Sequence, residues 1–503
     1  MERLTKSTAG VWGLAAALVG VLAGQVTSIF TGPSSSPMDA VGGFVIDLTP
    51  PPVKDWAVAT FGTGDKAFLL FVIAVAVAVL GWLAGILQRR TGWAGSVLLA
   101  GLGIGSGLIA ATRAASSPTS LVPGMMAALV AVLVLRWGVG RLRALDGAAN
   151  ASVGEPSRRL LMIGGAGVAI GGLGLAAVEG VVRPTAVGRP PIDLPTPVST
   201  SSLPPGLESE ITGLTPLRTP IEDFYRIDIA LSVPRREAED WELVIDGMVR
   251  NPFTITFDEL LAMPMVERDV TLTCVSNPIG GPYVGSTRWQ GVLVADIIRR
   301  ADPEARVEQV LSSGADGFTA STPLGVMLDG RDAMIAVAMD GQPLPRVHGF
   351  PARLLTPGLY GYVGATKWLE KLTLTTFAES QAYWTRRGWG EQGPVKTATR
   401  IDVPGNDLSA GDTTIAGIAW ATHRGISKVE VRVDQGPWQE ATLGEEVNAD
   451  YWRQWSLPWA ATSGTHQITA RAIDGAGDVQ TDAIQDVVPD GPTGYHVRTV
   501  QVG

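Results

Sequence analysis

The stretch TLTCVSNPIGGPYVGSTRW, residues 271–289, holds Cys274, the single cysteine of a 503-residue chain. A β-branched run leads into the thiol, and a loop of Asn, Pro and Gly follows it. The cysteine therefore stands where a strand ends and a turn begins. Two uses fit a lone thiol there. A small buried hydrophobe is the commoner. A thiolate that attacks a substrate or binds a metal is the other. An intrachain disulfide is excluded because no second cysteine exists.

Outward from that stretch the composition divides in two. Only 17% of residues are charged and the mean hydropathy is positive at +0.21, which points towards a membrane. The apolar excess sits in residues 1–185. Five stretches there, 11–30, 67–87, 92–111, 121–137 and 160–182, are long and apolar enough to be read as spans. Gly and Ala crowd the third and fourth, a composition that lets helices approach closely. Arg3 and Lys6 precede the first span, Arg89 and Arg90 follow the second, and Arg136, Arg141, Arg143, Arg158 and Arg159 separate the fourth from the fifth. The positive-inside rule then predicts a cytoplasmic N-terminus and an extracytoplasmic remainder. Arg158-Arg159 reads equally as two such arginines or as a twin-arginine export signal inside the chain. Ionisable residues are almost absent from the span centres, which argues against transport. A net charge of −9 argues against a nucleic-acid partner.

The next segment, 186–219, is rich in Pro, Ser and Thr and reads as an extended spacer. Strand and short-helix patterns alternate over 220–378, where WELVIDG, NPFTIT and FDELLAMP predict two strands and a helix stopped by proline. A polar connection covers 379–399. Over 400–503, Val429, Val431 and Val433 alternate with polar residues, and turns fall at Gln435-Gly436 and Asp474-Gly475. That pattern predicts an all-β, immunoglobulin-like sandwich. The expected architecture is a transmembrane helical bundle, an α+β domain and a β-sandwich.

Three segments of this second half together resemble the sulfite oxidase family of molybdenum-cofactor enzymes: TLTCVSN…RWQGV, AMDGQPLPRVHGFPARLLTPGLYGYVGATKW, and AYWTRRGW leading into the sandwich. The resemblance covers about residues 220–500. It implies that Cys274 is the protein thiolate on molybdenum, a soft ligand beside the pterin's dithiolene sulfurs. It also implies that His348, Arg353 and Lys367 contact the molybdopterin, with Asp316, Ser276 and Asn277 as further contacts. Tyr225 and Arg226 of FYRIDIA are assigned to the same group, and Arg453 of YWRQW to the substrate pocket. Each of these alone is more often a surface charge or a structural side chain.

The implied chemistry is two-electron oxygen-atom transfer on a small substrate. A sulfoxide or S-oxide reductase is the rival within the family, and a non-catalytic surface binding protein the rival outside it. The implied partners are the membrane, an electron carrier and a second copy in a homodimer. No haem is expected, since no histidine precedes His348. The pocket departs from the family at Val337, where sulfite oxidases place a tyrosine, and at Ile279, where they place an arginine. Binding a dianion calls for more than one positive partner.

Overall fold

The computed structural model describes residues 2–32, 35–50, 64–113, 118–147, 162–175, 191–200 and 202–503, together with residues 53, 56, 60 and 61. Two compact units result: Met1–Gly188 with Ile229–Arg235, and Arg189–Asp228 with Arg236–Gly503.

The first unit is helical. Four helices are long and apolar enough to cross a membrane: Ser7–Thr31, Lys66–Thr91, Ala94–Ala111 and Val122–Ala144. They match the first four predicted spans. The fifth lies partly outside the described residues; its described part is an apolar helix, Met162–Leu175. Arg158 and Arg159 lie outside the described residues. The small residues act as their composition predicts: a Cβ on Gly124 would lie 2.5 Å from the Gly107 nitrogen, so the Ala94–Ala111 and Val122–Gly147 helices meet backbone to backbone.

The charged ends of this unit differ. Arg143 donates to the Arg89 carbonyl at 3.1 and 2.5 Å, which gathers arginines at one end. At the opposite, N-terminal end of the Asp65–Thr91 helix, Lys66 Nζ donates to the Ala230 carbonyl at 2.7 Å. Ser232 Oγ bonds Asp39 at 2.5 Å. The strap Ile229–Arg235 thus packs with the helices, although the sequence places it within an α+β domain.

The second unit is β-rich. One sheet runs in the order Phe253–Thr256, Glu242–Gly247, Leu369–Thr375, Gln309–Gly314 and Thr319–Pro323. A second runs Ala365–Thr366, Arg353–Leu355, Met334–Met339, Val284–Leu293 and Val266–Thr273, with Gln342–Pro343 paired to Met334–Met339. Both contribute to a core around Trp241, Leu243, Ile297, Ile335 and Leu372. The helix Phe257–Leu261 starts with a capping box between Thr256 and Glu259, worth about 1 kcal/mol.

Residues 398–503 form two further sheets, of four and five strands, around Trp455, Ile415, Val429, Val431 and Ile468. The alternation read at Val429 and Val431 is real: both are fully buried. These sheets pack on the α+β part through Trp452, whose indole donates to the Leu217 carbonyl at 2.7 Å.

Candidate functional site

Strand Val266–Thr273 is buried along nearly its whole length, which is why its sequence is a β-branched run. It is paired with Val284–Leu293 and delivers Cys274 at its end, where the Cys274 N–H donates to the Tyr283 carbonyl at 2.9 Å. The loop closes locally. Asn277 N–H donates to the Cys274 carbonyl at 3.1 Å, and Asn277 Oδ1 accepts from Tyr283 N–H at 2.8 Å. The thiol is only partly buried and lies 3.0 Å from Ser276 Oγ. Enclosure raises its pKa, while Ser276 and the Lys367 ammonium favour the thiolate.

Opposite the thiol sits a concentration of positive charge. Arg353 is 5% exposed and lies face-on to the Trp289 ring at 4.8 Å. Its Nη1 donates to the His348 carbonyl at 3.2 Å, but its Nε has no hydrogen-bond partner. Burial lowers its pKa to about 10. His348 is 4% exposed, and its Nδ1 is likewise orphaned. Burial, with Lys367 and Arg353 nearby, pushes its pKa down to about 3, so the ring is neutral. Lys367 Nζ reaches Asp228 at 3.1 Å and the Val347 carbonyl at 3.3 Å; burial brings its pKa to about 8 against the pull of Asp228. Arg226 holds the same Asp228 oxygen at 2.8 Å.

These elements meet because Gly349, at φ +113°, brings its own backbone against Arg353 and Lys367: a Cβ there would lie 3.1 Å from both. Asp316 accepts from Phe318 N–H at 3.0 Å. Burial raises its pKa to about 6, and Asp228 adds to the rise. Tyr225 feels both Cys274 and Arg353, with its own pKa raised by burial.

One electrostatic network therefore joins Tyr225, Arg226, Ser276, Asp316, His348, Arg353 and Lys367 to Cys274, and Asn277 shapes the thiol's loop. Arg453 stands apart. Its guanidinium donates to the Gly444 carbonyl at 3.0 Å and the Ile426 carbonyl at 2.9 Å, with Glu446 at 3.8 Å. The structure spends it on bracing the C-terminal sheets rather than placing it beside the thiol. Val337, at the family's tyrosine position, is buried in the core.

A cavity of about 30 Å³ touches Cys274 and is lined by Ile279, Tyr360, Lys396, Trp420 and Thr493, room for about one water. Sequence reasoning missed three residues here: Asp228, Tyr360 and Lys396. The tyrosine lies in PGLYGYVG, where the glycines drew the attention. Burial raises its pKa to about 12, so it keeps its proton at neutral pH. Lys396 is bonded to Asp490 at 2.9 Å and to the Gly491 carbonyl at 2.7 Å.

Comparison with known proteins places this geometry. Residues 230–384 match the family model of the oxidoreductase molybdopterin-binding domain. Together with the relatives below, that match supports a molybdopterin oxidoreductase of the sulfite oxidase family. Human mitochondrial sulfite oxidase is 29% identical over 308 residues, 51% of this chain and 56% of that protein. Chicken sulfite oxidase is 28% identical over 320 residues, 54% and 69% of the two chains. The NADPH nitrate reductase of Leptosphaeria maculans is 32% identical over 230 residues, 38% and 25%. The chain thus spans about half the length of the human relative. The crystal structure of the sulfane dehydrogenase SoxCD from Paracoccus pantotrophus superposes with a TM-score of 0.50 at 21% identity, over 57% of this chain and 83% of that one. That likeness is one of fold.

The residues present fit the cofactor of the sulfite oxidase family. A buried guanidinium without a carboxylate is costly unless an anion meets it, and Arg353 with an unbonded Nε is such a group. A phosphate satisfies Arg353 and Lys367, and a pterin edge offers a partner to His348 Nδ1.

Proposed function

We propose that this chain is a membrane-anchored molybdenum-cofactor oxidoreductase with an extracytoplasmic catalytic unit, carrying out sulfite dehydrogenase-like oxygen-atom transfer on a small substrate. The observation that carries this is the buried Arg353 with its unbonded Nε, grouped with the orphaned His348 Nδ1 and with Lys367 in one network with a partly buried thiol. Arg353, Lys367 and His348 would hold the phosphate and pterin, Tyr225, Arg226, Asp316, Ser276 and Asn277 would complete the cradle, and Cys274 would be the ligand to molybdenum. When bound, that group would carry the oxygen-atom transfer and take up the two electrons the substrate loses.

The protein's own part is electrostatic and steric. Enclosure favours the protonated Cys274 thiol, and a metal ligand role would require its thiolate. Lys367, held by Asp228, steadies the thiolate that results. Tyr360, still protonated at neutral pH and lining the cavity beside Cys274 with Trp420 and Ile279, would donate a hydrogen bond to a substrate oxygen. Tyr360→Phe should then lower kcat/KM about tenfold with unchanged molybdenum content, the worth of about one hydrogen bond.

The orientation rests on the helical unit. Its arginine end, at Arg89 and Arg143, suits the cytoplasmic face. The strap that continues from Asp228 packs at the other end, by Lys66. The family resemblance adds a dimer through the C-terminal sheets and an electron-carrier partner.

A second reading, a reductase of neutral S-oxides, is favoured by one observation. The cation lining the cavity beside Cys274, Lys396, is already matched by Asp490, which leaves little charge for a sulfite dianion. Purified full-length protein loaded with cofactor should be assayed with artificial electron donors and acceptors against sulfite, sulfoxides and nitrate. Sulfite oxidation supports the first reading, and sulfoxide reduction at least tenfold faster supports the second. Molybdenum-free protein without turnover on any of them would overturn both.

A further inference from the structure

A larger cavity, about 480 Å³, lies on the far side of the loop that follows Cys274, lined by Thr215, Gly280, Arg400, Asp402, Asn406, His496 and Arg498. Its hydrogen-bonding capacity is one-sided. Both oxygens of Asp402 are already used, Oδ1 by Arg400 Nε at 2.7 Å and Oδ2 by the Thr215 N–H at 3.2 Å. Arg400 spends its other nitrogens on the Gly281 carbonyl at 3.0 Å and Thr215 Oγ1 at 2.6 Å. No unmatched carboxylate faces the space among its lining residues.

The donors are not spent. Arg498 uses only Nη1, towards the carbonyls of Ile401 at 3.2 Å and Asp402 at 2.7 Å, and has no carboxylate partner among the described residues. His496 Nδ1 accepts from the Ile401 N–H at 2.9 Å. The proton of this neutral ring therefore sits on Nε2, which packs over Gly280 and meets no acceptor among the described residues. The Asn406 side-chain amide, exposed at the rim, is also without a partner among the described residues.

A guanidinium, an imidazole N–H and an amide facing one space, with every nearby carboxylate already neutralised, make an anion site. We propose that this cavity binds a small tetrahedral oxyanion of the sulfate or phosphate class, held by Arg498, His496 Nε2–H and Asn406. Gly280 lines both this cavity and the one at Cys274. The bound anion ties the loop after the thiol to the C-terminal sheets.

The test is calorimetric titration of the full-length protein in detergent with sodium sulfate and, separately, sodium phosphate, against sodium chloride at matched ionic strength. Saturable binding of either oxyanion, absent with chloride, is expected, and the two titrations tell which is preferred. Arg498→Gln should weaken it about tenfold or more, the loss of one charge-assisted contact. Arg498 also braces two carbonyls, so Asn406→Asp serves as the second variant. It places a negative charge at the exposed rim without touching the core, and should weaken binding by a similar factor. No saturable binding to the wild type, or binding unchanged in both variants, overturns the proposal. The readout is binding alone, so it stands or falls independently of the reaction assigned to Cys274.

Discussion

In the C-terminal sheets Arg424 meets Asp474 at 2.8 Å, Arg471 meets Glu430 at 2.7 Å and Arg400 meets Asp402 at 2.7 Å. Around Cys274, by contrast, Arg353 is more deeply buried than any of these arginines and has no carboxylate partner among the described residues, while Arg226 and Lys367 share Asp228. The same residue types serve two ends. Where charge is matched within the chain it fixes the fold. Where it is buried and left over, it stores a binding free energy that only a ligand can realise. The contrast sets arginines matched by carboxylates apart from a buried one that is not.

The contrast can be broken by substitution. Arg353→Met should weaken retention of the molybdopterin about a hundredfold, the worth of two charge-assisted hydrogen bonds or so. The same change should make the cofactor-free protein more stable, since a buried unpaired charge is removed. Molybdenum analysis and denaturant unfolding read the two effects, and a destabilised cofactor-free variant would break the comparison. Lys367→Met should cost less, about tenfold in retention, because Asp228 already offsets part of its charge and keeps Arg226 when the lysine is gone.

Arg424→Met, in the matched region, should do the reverse. It should lower stability by about 1 kcal/mol, because Asp474 is buried but keeps Thr397 and two backbone N–H groups as partners. Molybdenum content should not change. The smallest effect concerns His496, whose pKa is lowered from 6.5 to about 4, by burial first and then by Arg498. The folded ring binds its proton less readily than the unfolded one, so its contribution to stability is full above pH 6.5 and declines as pH falls towards 4. Asp316, raised to about 6, slopes the other way in part of that window. Equilibrium unfolding of His496→Gln against wild type isolates the histidine: the difference between them should narrow on acidification, and a constant difference would contradict the assignment.

Much of this was legible in the sequence because it rests on local pattern. Residues 11–30 and 67–87 lie within helices because their apolar runs leave no alternative, and Val429 and Val431 alternate because one face of their strand is buried. Nine of the ten assigned site residues fall in or beside one network, six of them carried by two segments whose order is specific, TLTCVSN and HGFPARL through ATKW. What escaped depends on long-range register. Arg453 pairs with Ala419 across two strands, and that register, not its motif, sends its guanidinium to the Ile426 and Gly444 carbonyls. Lys396 comes from the connection between α+β and all-β regions, where no periodicity marks which residue turns towards the thiol. Asp228 is one carboxylate in a polar run until the fold closes Arg226 and Lys367 upon it.

X-ray absorption at the molybdenum edge of the loaded full-length protein probes the sulfur bond on which the rest depends. Wild type should show one sulfur neighbour more than Cys274→Ser. The variant should also lose turnover by more than about a hundredfold, since even outer partners of a metal site are worth 10–100-fold. An identical sulfur shell in the two proteins would contradict the account.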